Sequence, residues 1–268
     1  MFCIDPLRAT VIFPTYGFAP FAQWALRSVC NQSVKKIEIF IICDGSPPEM
    51  IALFNELANE DKRIRVYEFP KSDRTGEIYR DLLIKKVAKG RNIFYCSHDD
   101  LWLPDHIKEI EKSLARSNFA HSIHAMVNEF AEEFIEENIF RSLNIIDLSD
   151  IKFRNRMLDD TVLENFFGLT FAAHPRKSYN GLPVGWTTTP TGIWTDLYMW
   201  RKFLRKYGNS CVTCKIITAL SFPASLRREW SEQDRSDELE FFHTKIQDPD
   251  FIQRIRNLAK KSLNRKQA

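Results

Sequence analysis

The chain has 268 residues, enough to bury a large core in one domain, or in an α/β half followed by a smaller appended half. Hydrophobic residues at 44% and charged residues at 27%, with 21 Phe and 6 Trp, exclude disorder away from the ends and exclude a small disulfide scaffold. A net charge of +3, with the basic residues spread along the chain, argues against a nucleic-acid partner.

Thr10 to Phe13 is a β-branched apolar run that stops at Pro14-Thr15-Tyr16-Gly17, and a helical pattern through Trp24, Leu26 and Val29 follows. Ile37 to Cys43 is a near-continuous apolar run, the mark of a strand buried on both faces, and it ends in Asp44-Gly45-Ser46-Pro47-Pro48. Met50 to Ala58 reads as helix, Ile64 to Phe69 as strand, Gly76 to Ala88 as helix and Asn92 to Cys96 as strand. Such alternation predicts a mainly parallel sheet whose polar loops, Pro14 to Tyr16, Asp44 to Ser46 and Ser97 to Asp100, meet at the carboxyl ends of the strands, where ligands bind. Pro104 to Arg116 reads as helix, with Pro in the first turn and Ile107, Ile110 and Leu114 at helical spacing. Phe119 to Asp160 reads as short strands and turns, Gly181 to Trp200 as a Trp- and Thr-rich stretch, and the remainder as helices.

Cys3, Cys30, Cys43, Cys96, Cys211 and Cys214 are mostly single and several lie in apolar runs, as expected for reduced core thiols, so a cytoplasmic setting is expected. Met1 to Arg8 has neither a basic n-region nor an apolar h-region, and no apolar run is long enough to span a membrane, so the chain itself is not expected to cross one. Cys211 and Cys214 form a lone C-x-x-C without a second pair at zinc-ligand spacing, which favours core packing over a metal or redox site.

Asp99 and Asp100 follow a strand and precede a helix, a place for hard oxygen ligands to Mg²⁺ or Mn²⁺, and equally for a cap or a solvated turn. Asp44-Gly45 is likewise an ordinary turn signal. There is no G-x-G-x-x-G after the first strand, no G-x-x-x-x-G-K-[ST] and no G-x-S-x-G, which sets aside dinucleotide dehydrogenases, P-loop enzymes and serine hydrolases of the α/β type.

Several stretches, in order, resemble the family 2 glycosyltransferases. Thr10-Val-Ile-Phe-Pro-Thr-Tyr is similar to the family's opening strand, Ser28-Val-Cys-Asn-Gln to the end of its first helix, and Ile37-Glu-Ile-Phe-Ile-Ile-Cys-Asp-Gly-Ser to its second strand and turn. Asn92 to Pro104 resembles the strand that delivers the D-x-D motif, with Ser97 in place of the first aspartate, and Gly192-Ile-Trp-Thr-Asp-Leu-Tyr-Met-Trp-Arg resembles the helix that carries the catalytic base. The resemblance implies a GT-A (Rossmann-like) α/β fold, a mainly parallel sheet flanked by helices with a C-terminal acceptor-side helical extension. Residues 1–118 would form the nucleotide-sugar half, and 119–268 the acceptor and catalytic-base half of the same domain.

It also implies an inverting transferase that moves a sugar from a nucleoside-diphosphate sugar, with a lean to UDP, to a glycan or lipid-linked acceptor in polysaccharide biosynthesis. Pro14, Thr15, Tyr16, Asp44, Arg80, His98 and Asp99 would contact the donor, with Asp44 accepting from the base, Tyr16 against its ring and Arg80 facing the diphosphate. Asp99 would hold the divalent metal, Mn²⁺ or Mg²⁺, and Asp196 would be the base. The plainer roles are a helix-surface ion pair for Arg80, an N-cap or first-turn acid for Asp196, and structural positions for His98, His106 and His174. Trp186 and Trp194 are either core aromatics or an acceptor platform. A catalytically silent nucleotide-sugar binder is the rival reading, motivated by Ser97 and by Thr195, which stands where an acid often precedes the base. From Ile252 onward the chain carries six Lys or Arg and no acid, with Ile252, Ile255, Leu258, Ala259 and Leu263 near one helical face. It is either a helix packed on the domain or a peripheral contact with anionic lipid.

Overall fold

The computed structural model describes residues 6–128, 140–144 and 146–265. Cys3 lies outside them with the rest of the first five residues, as do residues 129–139 and 145 of the stretch expected as short strands and turns between Phe119 and Asp160.

Strands β1 (Ala9–Thr15) and β2 (Ile37–Asp44) are buried along their whole length. They run parallel to each other, to β3 (Ile64–Phe69) beyond β2 and to β4 (Asn92–Tyr95) beyond β1. Parallel neighbours need crossovers, and these are helices α1 (Ala22–Cys30), α2 (Pro48–Glu60) and α3 (Glu77–Lys86), as the sequence alternation predicts. Apolar faces of α1 and α2, notably Leu26, Val29, Phe54 and Leu57, join Val11, Phe13, Phe40 and Ile42 in one core.

Beyond β4 the pattern changes. After β5 (Leu101–Trp102), α4 (His106–Leu114), β6 (Phe119–Val127), β7 (Phe140–Asn144) and α5 (Ile151–Leu158) come β8 (Ala172–Pro175), α6 (Arg176–Asn180), α7 (Thr195–Tyr207), β9 (Cys211–Ser221), α8 (Glu232–Lys245) and α9 (Pro249–Arg265). Among the described residues the sheet runs β3-β2-β1-β4-β8-β6-β9-β5, with β7 on β6. β8 is antiparallel to both β4 and β6, β5 is antiparallel to β9, and β6 and β9 are parallel. The expected parallel sheet is thus parallel in its first four strands and mixed beyond, and one continuous sheet joins the two halves.

Two expectations for the second half are corrected. The stretch after Trp200 is not all helix: β9 is an eleven-residue strand, rich in the β-branched residues that favour the pleat. α5 replaces the turns expected up to Asp160, its Asp150 cap accepting from the Lys152 N–H. Cys211 and Cys214 lie on β9, three residues apart and so on opposite faces, and their thiols meet Phe203 O and Glu109 O respectively. They are free, as are Cys30, Cys43 and Cys96.

α8 and α9 close the far end, where Leu239, Phe242, Phe251, Ile255 and Ala259 form a second core with Leu101, Ile123 and Leu220. Arg256 of α9 donates to Ile217 O and pairs with Asp105 at 2.7 Å. Phe251, Ile252, Ile255 and Ala259 of the basic C-terminal helix are therefore packed on the domain, while the side chain of Leu263 lies outside the described residues. No helix among the described residues is long and apolar enough to cross a membrane.

Candidate active site

Because β1 and β4 are parallel neighbours, their carboxyl ends put Pro14-Thr15-Tyr16 and Ser97-His98-Asp99 on one rim. With Thr75, Arg80, Leu169, Thr195 and Asp196 they line a solvent-open cleft of about 170 Å³, smaller than the roughly 300–1,000 Å³ usual for enclosed small-molecule sites. Seven residues nominated from the sequence meet here: Pro14, Thr15, Tyr16, Arg80, His98, Asp99 and Asp196.

On one side of the cleft the Tyr16 ring is 55% exposed and stands edge-on to His98, with centroids 5.7 Å apart. His98 lies over Phe21 at 5.6 Å. Burial lowers its pKa, Asp99 opposes and Arg235 reinforces the shift, so the ring is neutral at pH 7. The Thr15 hydroxyl is buried without a hydrogen-bond partner among the described residues.

Arg80 rises from α3 and is 4% exposed. Its Nη2 donates to Thr75 O at 2.6 Å, and its guanidinium sits 4.9 Å over the Trp186 ring. Nε and Nη1 are buried and without partners among the described residues. Burial pulls its pKa down, while Glu77, Tyr95, Asp196 and Asp44 hold it charged. The surface ion pair considered from sequence is therefore not its role.

Asp44 does not line the cleft. It is buried and accepts from the Ser72 N–H at 2.6 Å, the Lys71 Nζ at 2.7 Å and the Ser72 hydroxyl at 3.0 Å, so both carboxylate oxygens are engaged. Gly45 takes φ +71°, and a Cβ there would lie 2.7 Å from Lys71 Cβ, which makes this glycine a requirement of the turn. The Asp-Gly turn and the clamp on the 70–76 loop are what this geometry displays.

Asp99 and Asp100 divide the work of the turn. Asp100 is buried, accepting from the Thr170 hydroxyl at 2.5 Å and the Phe222 N–H at 3.1 Å, and burial beside Asp99 pushes it up to about 7. Asp99 lines the cleft, with Arg235 Nη2 at 3.8 Å from its Oδ2. No three His, Cys, Asp or Glu side chains converge on a metal position among the described residues. One cleft-facing carboxylate does fit Mg²⁺ or Mn²⁺, which keeps waters and takes substrate phosphates as ligands, and it does not fit a metal held by protein alone.

Across the cleft, Asp196 sits in the first turn of α7, with Trp194 at the cap position, so it is the first-turn acid that the sequence also allowed. It accepts from the Leu197 N–H at 3.0 Å, and burial raises its pKa against that hydrogen bond and the charge of Arg80. A raised carboxylate is the better proton acceptor.

Trp186 departs from the platform expectation. It is 2% exposed, its indole N–H donates to Tyr95 Oη at 3.0 Å, and it backs Arg80 from the core side. Trp194 is 51% exposed, next to Thr195 and Asp196. His174 and His106 are core residues: one meets Tyr95 Oη at 2.7 Å, and the other stacks on Trp102 at 4.1 Å and bonds the Thr218 hydroxyl. Sequence reasoning missed Thr75, Thr195, Leu169 and Arg235. Thr195 adjoins Asp196, whereas Thr75, Leu169 and Arg235 arrive from segments with no local signal.

Residues 10–181, well over half of the chain, match the sequence profile of Glycosyl transferase family 2. The chain belongs to that family. It is similar to glycosyltransferases of Rickettsia felis (35% identical over 124 residues, 46% of this chain and 20% of the relative) and Haemophilus influenzae (29% over 105 residues, 39% and 40%). This chain spans between a fifth and two fifths of those relatives. Among solved structures it resembles S. aureus TarS 1–349 (TM-score 0.58, 14% identity, 80% of this chain and 60% of that one). It also resembles a Pyrobaculum calidifontis mannosyltransferase in complex with GDP-Man and Mn²⁺ (TM-score 0.53, 16% identity, 82% and 57%). The GT-A fold expected from the sequence is the fold these structures share with it.

Proposed function

We propose that this chain is an inverting glycosyltransferase unit that moves a sugar from a nucleoside-diphosphate sugar, UDP-linked by preference, to a hydroxyl of a glycan or lipid-linked acceptor. One observation carries the reading: a buried Arg80 with two unpartnered nitrogens opens into the same family 2 cleft as Asp99 and Asp196. S. aureus TarS has been crystallised with UDP-GlcNAc and the archaeal mannosyltransferase with GDP-Man and Mn²⁺, which supports a nucleotide-sugar donor here.

Thr15 and Tyr16 would bind the nucleoside side, with Asp44 fixing the loop that shapes it, and Arg80 would donate its free N–H groups to the diphosphate. Asp99 would hold a divalent cation, which supplies Lewis-acid stabilisation of the departing diphosphate. Asp196 would take the proton from the acceptor hydroxyl as the acceptor oxygen bonds to the anomeric carbon and the bond from that carbon to the phosphate oxygen breaks. Attack opposite the leaving group inverts the anomeric centre. Trp194, exposed beside Asp196, would offer its face to an acceptor sugar.

A cytoplasmic role in polysaccharide assembly accords with this chemistry. Any peripheral membrane contact of α9 would rest on its basic residues alone, since Phe251, Ile255 and Ala259 are buried against the domain. Incubating the protein with Mn²⁺ and a panel of nucleotide sugars, with mass spectrometry for released nucleoside diphosphate, tests the reading. Release from at least one donor is expected. Tight donor binding without release, with every acceptor class supplied, would instead mark a silent binder.

A further inference from the structure

The first turn of α8 rests against the loop that carries Asp99. Arg235 brings its Nη2 to 3.8 Å from Asp99 Oδ2, and its guanidinium lies 3.8 Å over the Phe21 ring, the same ring that supports His98. The side chain is 16% exposed, and its Nε is buried without a hydrogen-bond partner among the described residues. A separation of 3.8 Å couples the two groups by charge and leaves them outside hydrogen-bond range, so the guanidinium is held by the aromatic face and not latched to the carboxylate. Asp100 is turned into the protein, so of this loop's two carboxylates Asp99 is the one that faces Arg235, whose charge also reaches Glu238 on its own helix.

We propose that Arg235 is a further donor-site residue: it is the counter-ion of Asp99 when no cation is bound there, and it turns its free N–H groups to the donor's diphosphate once a divalent cation takes the carboxylate. This rests on the donor-site reading above. A cation on Asp99 repels the guanidinium, and a diphosphate beside that cation attracts it as a planar bidentate donor. Arg235 thus opposes the binding of metal alone and favours the binding of metal with nucleotide, two effects of opposite sign on one side chain.

Arg235→Met keeps an apolar stem on Phe21 and removes the charge. Mn²⁺ binding followed by electron paramagnetic resonance without nucleotide should tighten about tenfold, as expected for losing a like charge a few ångströms away. The affinity for UDP or GDP, whichever the wild type binds better, should weaken about tenfold by calorimetry in saturating Mn²⁺. Arg235→Lys, which restores the charge without the fork, should return Mn²⁺ affinity to near wild type and recover part of the nucleotide affinity. Unchanged affinities, or Mn²⁺ and nucleotide affinities that fall together, would overturn the assignment. Asp99→Asn separates the two readings. Loss of Mn²⁺ binding there with no change in Arg235→Met defeats the Arg235 role alone, whereas undiminished Mn²⁺ binding in Asp99→Asn defeats the metal site itself.

Discussion

Arg80 is held at a cost to folding. A guanidinium that is 4% exposed, with one hydrogen bond to Thr75 O and two nitrogens unpartnered among the described residues, is a buried charge that a stable fold has no reason to keep. Such a group is retained where a ligand completes its partners. Arg80→Met conserves the contact with Trp186 and removes the charge, so its melting temperature should stay near the wild type, relief of an incompletely partnered buried charge being offset by the lost attraction to Glu77 and Asp196. Donor affinity should fall by about 2–5 kcal/mol, the scale for truncating one partner of a desolvated charged contact. Thermal unfolding and donor calorimetry read the two effects, and a lowered melting temperature with unchanged donor affinity would make Arg80 a structural residue. Position could be read from the sequence, since Arg80 stands in the Tyr79-Arg80-Asp81 stretch, but partnership could not. Asp44 illustrates the same limit: the residue was legible, and the Lys71 and Ser72 donors that occupy both its oxygens were not.

Elements were legible where burial imposes a simple pattern. β2 is covered on both faces, so its sequence is a continuous apolar run, and β1, α1 and α2 follow the same logic. β9 was missed because register shifts against β6 break its alternation, and its burial runs unevenly along the strand. α5 was missed because few of its side chains are buried, Arg154 and Met157 among them, while Ile151 is exposed, which leaves a faint helical period. α7 resolves a choice that residue type alone left open. Trp194 takes the cap position and Asp196 the first turn, where its carboxylate accepts from the Leu197 N–H and lines the cleft. Glu77 ties the start of α3 to that helix, accepting from the Thr75 N–H at 2.9 Å, the Thr189 N–H at 3.1 Å and the Thr195 hydroxyl at 3.5 Å. The two walls of the cleft, one carrying Arg80 and the other Asp196, are thereby held in one geometry.

The whole molecule is sensitive to acid through its histidines. Burial pushes His106, His124 and His174 down to about 3 and His121 to about 4, so all four fold neutral. The unfolded chain protonates them below about pH 6.5, so stability is full above that value and falls as pH drops toward 4, by up to about 1.4 kcal/mol per histidine per pH unit. Asp100, pushed up to about 7, keeps a proton in the folded state and offsets one histidine over the same window, and the raised Asp196 and Glu238 oppose in the same sense without cancelling four. Melting temperature should therefore decline steadily from pH 6.5 to 4.5, and a flat or rising profile would contradict the buried neutral histidines.

At this scale the location of the cleft was legible, because parallel strands bring their carboxyl ends to one rim. Convergence of α8 and its Arg235 on that rim was not, since it depends on how the last helices pack over Leu101 and Leu220. The central claim is that the two halves meet across one cleft, the first holding the donor and the second activating the acceptor through Asp196. Asp196→Asn tests it most directly, because the amide keeps the shape of the carboxylate and removes its capacity to take a proton. At saturating donor and acceptor the transfer rate should fall by about a hundredfold or more, with donor affinity and melting temperature unchanged. Near wild-type turnover in Asp196→Asn would contradict the account.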